Sequence, residues 1–177
     1  MWPILLGTFR PIIGVPLNKP ILMFCAALLT GCVGHYQQLK PSEPHATIEA
    51  TLGGTDFLHD ELQAYWAYHD GRCQDTSETG VLGAISKNEP EKNRFFIRPE
   101  KRIYLNALTT GIKRDAEQRW VHISCLNISS FVPRVGATYQ VTQSFHGELC
   151  SLQVEDLQTG KQPASIIVEP VSKECGL

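Results

Sequence analysis

The chain has no apolar run long enough to cross a bilayer, no excess of positive charge, and none of the close-set motifs that mark metal or nucleophilic chemistry. A membrane-spanning helix needs roughly 20 consecutive apolar residues. The best stretch, "ILMFCAALL" from Ile21 to Leu29, stops well short of that and follows Pro20. No C-x-x-C pair occurs, and Cys73, Cys125, Cys150 and Cys175 are separated by 52, 25 and 25 residues, so zinc-type spacing is missing. There is no H-E-x-x-H pair and no G-x-S-x-G elbow. No internal repeat or low-complexity tract stands out. Charged residues make up 19% of the chain and the formal net charge is −2. A protein that binds nucleic acid through its phosphates needs a basic footprint, so nucleic acid is set aside as a partner.

What is present suits one globular domain behind an export signal. The length of 177 residues and a hydrophobic content of 42% support a single packed core. Arg10 and Lys19 are the charged residues ahead of Cys32, and without them the rest carries 14 basic and 18 acidic residues, a charge of −4. Basic residues first, then a short apolar run, then small residues is the layout of a signal peptide. Residues 1–31 are read as that signal, with no cofactor or metal expected anywhere in the chain.

The residues Leu29-Thr30-Gly31-Cys32 resemble the lipobox of bacterial lipoproteins. The resemblance implies that Thr30 and Gly31 admit the signal peptidase and that the Cys32 thiol takes a diacylglyceryl group. Cys32 would then be the acylated mature N-terminus. One acyl chain binds a membrane only reversibly, whereas the three chains usual in this family, palmitate among them, hold it permanently. Val33, rather than Asp, follows the cysteine, which by enterobacterial-type sorting implies the outer membrane, with the protein on its periplasmic face. The stretch from Cys32 to His45, "CVGHYQQLKPSEPH", is polar with two prolines and reads as an extended tether on the order of 40 Å long or less. The folded domain is placed at residues 46–177.

Cys25 lies in the signal and Cys32 is assigned to lipid, leaving Cys73, Cys125, Cys150 and Cys175 for two disulfides in an oxidising compartment. Four cysteines allow three pairings, which sequence alone does not separate. Strand parity turns Cys125 (with Val121 and Ile123) and Cys150 (with Leu152 and Val154) toward the core. We pair Cys73 with Cys125 and Cys150 with Cys175, the latter tying down the tail.

Period-two alternation bounded by turn residues recurs through the body. "ATIEATL" places Ile48, Ala50 and Leu52 on one face before Gly53-Gly54. "NRFFIRPEKRIYLNAL" reads as extended, with Ile103 and Leu105 together. "GATYQVTQSF" sets Ala137, Tyr139, Val141 and Phe145 against Thr138, Gln140, Thr142 and Ser144, and a turn at 146–148 would make a hairpin with the Cys150 strand. "SIIVEPV" supplies a last strand, stopped by Pro170. "DFLHDELQAYWAYHD" fits a helix from Asp56 or a strand from about Leu62; the aromatic-rich composition favours the strand, with Tyr65 and Ala67 on one face. The expectation is all-β: an antiparallel sandwich of about seven strands, stabilised by disulfides. "RPEKRIYL", "FVPRVGATYQV" and "VEDLQTGK" make the body similar to the small β-sandwich lipoproteins of Gram-negative envelopes, which implies an immunoglobulin-like or prealbumin-like architecture.

The chemistry-bearing side chains are sparse. His35 and His45 fall in the tether, and His59, His69, His122 and His146 are scattered. His59-Asp60 and His69-Asp70 could build an acid–base or metal site only if they converge in one cleft. Tyr65, Trp66 and Tyr68 could present an aromatic patch to glycan or protein, with core packing the simpler role. Asn127-Ile128-Ser129 matches a glycosylation sequon, which carries little meaning in a bacterial lipoprotein. The sequence therefore points to a non-enzymatic envelope lipoprotein, tethered to the membrane by its lipid, that binds an envelope protein or glycan or serves as an assembly part. The alternative is a periplasmic hydrolase or metal-binding protein using His59, Asp60, His69 and Asp70.

Overall fold

Long strands with one apolar face cannot stand alone in water, and here they pair their faces across a sandwich. The computed structural model describes residues 34–74, 76, 78–86, 93–172 and 175, with the backbone alone at 59 and 60. Among them lie nine strands: β1 (Ala46–Thr55), β2 (His59–Tyr68), β3 (Gly80–Ile85), β4 (Arg94–Ile97), β5 (Ile103–Arg114), β6 (Trp120–Phe131), β7 (Thr138–His146), β8 (Leu149–Asp156) and β9 (Ile167–Glu169). One sheet has the order β4-β1-β7-β8 and the other β3-β2-β5-β6-β9. The fold is the all-β, disulfide-stapled sandwich expected, with two strands more than the seven counted from alternation.

Two refinements concern pairing. β1 runs parallel to β7, Ile48 opposite Tyr139 and Ala50 opposite Val141, whereas every other pair is antiparallel. Gly53-Gly54 does not end β1 but lies where the register shifts, between Leu52 and Thr55. A Cβ on Gly53 would collide with the carbonyl of Gln143, so only glycine lets the two backbones approach there. The ambiguous segment is a strand from His59, and its parity is as read: Tyr65 and Ala67 are fully buried.

The strands alternate in direction, which puts the β2–β3, β4–β5, β6–β7 and β8–β9 connections at one end of the sandwich, here the lower end, and the other four at the upper end. The interior is layered along this axis. The main core fills the lower and middle part with Ile48, Tyr65, Ile97, Leu105, Phe131, Tyr139, Val141 and Val154 among others. A smaller cluster of Phe57, Cys125 and Phe145 closes the upper end, the two phenyl rings stacked with centroids 5.2 Å apart. β7 and β8 meet at the upper end through Gly147, whose φ of +61° suits the tight hairpin turn.

The stretch read as a free tether is part of the fold from Gly34 onward. Val81 N donates to Gly34 O at 2.9 Å, and Tyr36 N donates to Val81 O at 2.8 Å, so residues 34–36 run parallel along the outer edge of β3. Tyr36 is only 6% exposed and packs in the main core. Its hydroxyl accepts from Arg98 N at 3.0 Å. Gln38 joins the two edge strands, donating to Leu82 O in β3 and accepting from Phe96 N in β4. The polar composition that suggested a spacer hides one aromatic anchor and a glutamine whose amide serves both sheets. The domain therefore starts at about residue 34 rather than 46.

Candidate functional site

The two sides of the sandwich are closed differently. On one, the N-terminal stretch seals the seam between β3 and β4. On the other, Cys125 of β6 bonds Cys150 of β8 across the sheets, with 5.6 Å between Cα atoms. The second disulfide joins Cys73, after β2, to Cys175 in the tail, with Cα atoms 5.0 Å apart. This corrects the pairing drawn from sequence. Parity had aimed both Cys125 and Cys150 inward, and two inward cysteines at the same height on facing sheets meet each other rather than a loop or a tail. The tail instead crosses from β9 to the β2–β3 connection, where Cys175 Sγ lies 3.5 Å from Gly71 O and Cys73 packs on the Asn106 side chain.

Beneath the Cys125–Cys150 bond lies a buried polar layer that periodicity did not announce. Gln143 is fully buried on the inward face of β7. Its amide nitrogen donates to Ala107 O at 2.8 Å, Cys125 O at 3.0 Å and Asn127 Oδ1 at 3.0 Å, while its oxygen accepts from Thr109 Oγ1 at 2.6 Å. Gln63 returns the contact, donating to Gln143 O at 3.0 Å, and Tyr65 OH donates to Gln63 Oε1. Burial raises the Tyr65 hydroxyl pKa far above its ordinary value. Every contact in the layer is a hydrogen bond between groups of the fold itself, so the layer fixes register between the sheets. The Asn127 side chain of the sequon belongs to this layer, donating to Cys150 O at 3.3 Å.

The histidine–aspartate pairs do not converge. His59 begins β2 at the upper end opposite Ile112, while His69 and Asp70 follow Tyr68 at the lower end. Ten residues of strand place the two pairs about 30 Å apart. His69 lies edge-on to Tyr36, with centroids 6.1 Å apart. Desolvation, reinforced by the charge of Arg98, holds its imidazole pKa below the ordinary value. Asp70 takes two bonds from the Arg72 guanidinium, at 2.7 and 3.1 Å, and one from Arg72 N, which depress its pKa. The pair borders a shallow cleft of about 200 Å³ with Gln74, Thr76 and Glu78. Among the described residues no group of three His, Cys, Asp or Glu side chains is placed to hold a metal ion.

A wider cleft of about 460 Å³ opens at the lower end between the β6–β7 and β8–β9 connections, lined by Arg134, Tyr139, Asp156, Lys161 and Ser165. Its charges are largely matched, since Arg134 pairs with the buried Asp156 and also reaches Gln158. Arg134 N donates to Tyr139 OH at 2.9 Å. Asp156 Oδ1 accepts from Gln158 N, which makes the "D-x-x-T-G" stretch a hydrogen-bonded turn with Gly160 at φ +65°.

The aromatic triplet is split. Tyr65 is in the core, Tyr68 is buried at the lower end of β2, and Trp66 is half-buried on the outer face of the five-stranded sheet. Cys32 and the residues Leu29, Thr30 and Gly31 before it lie outside the described residues. No helix among the described residues is long and apolar enough to cross a membrane. Compared with protein-family models, curated proteins and solved structures, the chain gives no match.

Proposed function

We propose that this protein is a non-enzymatic envelope lipoprotein, acylated at Cys32 and held on the periplasmic face of the outer membrane, whose sandwich binds an envelope protein or glycan or acts as an assembly part. The observation that carries the reading is the order of features along the chain: Leu29-Thr30-Gly31-Cys32 stands directly before a domain closed by two disulfides. Disulfides persist in oxidising compartments, and a lipobox is useful only to an exported chain. A binding or assembly role suits an interior filled by side chains that bond one another and the separation of the two histidine–aspartate pairs by the length of β2.

The test is metabolic labelling with an alkyne fatty acid in a Gram-negative host, followed by separation of inner and outer membranes. Label on the wild-type chain in the outer-membrane fraction, lost in Cys32→Ala, supports the reading. A wild-type chain that takes no label contradicts it.

A further inference from the structure

Gly34 is the first of the described residues, and it is already hydrogen-bonded into the sandwich. Gly34 is joined to Val81, near the start of β3, and the chain runs upward from there through Tyr36 to Gln38, parallel to β3. At Gly34 the chain therefore stands at the lower end of the sandwich and enters it running upward. Two peptide units separate Cys32 from Gly34, a reach of at most about 7 Å. The extended spacer expected from composition is instead part of the fold from Gly34 onward, since Tyr36 is buried in the core and Gln38 is bonded to both sheets.

We infer that the lower end of the sandwich is a membrane-apposed surface whose partner is the phospholipid headgroup layer. The upper end, with the β5–β6 hairpin at its tip, projects into the aqueous space as the face open to other partners. The inference rests on acylation at Cys32, as proposed above. The loops of the lower end carry side chains suited to such a boundary. Val135 is 53% exposed beside Arg134 in the β6–β7 connection, and Leu157 is 45% exposed in the β8–β9 connection near Lys161. Small exposed apolar side chains beside the ion-paired Arg134 and beside Lys161 suit the headgroup level, where long cationic side chains keep their stems against apolar matter and their charges in water. β5 and β6 are 12 residues each, so the Asp115–Arg119 turn stands on the order of 35–40 Å from the lower end.

The test uses the lipidated full domain, isotope-labelled and reconstituted into nanodiscs of phosphatidylethanolamine and phosphatidylglycerol, with a gadolinium chelate on a fraction of the headgroups. Amide signals of Arg72, Lys101 and Val135 are expected to broaden several-fold more than those of residues 112–122. A twelve-residue Gly-Ser insertion between Val33 and Gly34 is expected to erase the difference. Equal broadening at both ends of the uninserted protein, or stronger broadening at the β5–β6 hairpin, overturns the orientation. A chain whose mass shows an unmodified Cys32 overturns the lipoprotein reading instead, and is recognised before any spectrum is recorded.

Discussion

Gln143 and Cys125 face each other across the sandwich, the amide of one donating to the main-chain carbonyl of the other at 3.0 Å while Cys125 is covalently joined to Cys150. A covalent link and a hydrogen-bonded side chain thus fix the same point between the sheets. Because Gln143 is fully buried, replacing it with leucine removes the acceptor of the Thr109 hydroxyl and the side-chain donor to the Ala107 and Cys125 carbonyls. Each such loss costs about 1–3 kcal/mol. Urea unfolding of Gln143→Leu should show a loss of about 2–4 kcal/mol with both disulfides intact, whereas a surface site such as Gln153→Leu on β8 should change stability by less than about 0.5 kcal/mol.

Non-reducing peptide mapping should return Cys73 with Cys175 and Cys125 with Cys150. On loop-closure entropy, a 102-residue loop constrains the unfolded chain by about 4.7 kcal/mol and a 25-residue loop by about 3.5 kcal/mol. The double variant Cys73→Ser/Cys175→Ser should therefore lose at least as much stability as Cys125→Ser/Cys150→Ser, despite bonding only a loop to a tail. The reverse order, by a wide margin, would show that the inter-sheet bond acts mainly through the native state.

Tyr36 distinguishes a tether from a structural element. Tyr36→Ala removes a buried ring from the main core and should cost about 3 kcal/mol, and Tyr36→Phe, which loses only the bond from Arg98 N, about 1 kcal/mol. A free tether would tolerate both without measurable change in thermal midpoint.

At the upper end, Asp56 accepts from Gly147 N and lies 3.2 Å from His146 Nδ1. The Gly147 bond and then the His146 bond hold its pKa below the usual carboxylate value. A depressed carboxyl stabilises the fold above its unfolded pKa and loses that contribution as pH falls through its folded value. The stability of the wild type should therefore fall more steeply on the acid side than that of Asp56→Asn. Coincident acid limbs of the two pH–stability profiles would show that the carboxylate contributes nothing to the turn.

The parts of the fold legible in sequence were those governed by period two. β1, β5 and β7 alternate as read because one face of each is buried against the opposite sheet, and the β7–β8 hairpin follows from a glycine placed where φ must be positive. The tether was misread because composition averages over residues. Tyr36 and Gln38, two among a dozen polar neighbours, decide the matter through contacts with residues more than 40 positions away. The polar layer was hidden for a related reason: Gln143 occupies an inward position by parity, and only the partners that β5 and β6 bring to it make burial affordable. Cysteine pairing likewise depends on which inward residues share a height, a property of sheet order rather than of spacing.

The proposal that an acylated Cys32 carries the disulfide-closed sandwich is tested by the intact mass of the membrane-extracted native protein, before and after reduction. The predicted result is a chain beginning at Cys32 with a diacylglyceryl group and a third acyl chain, gaining four hydrogens on reduction. An N-terminus elsewhere, an unmodified Cys32, or thiols already free before reduction would contradict it.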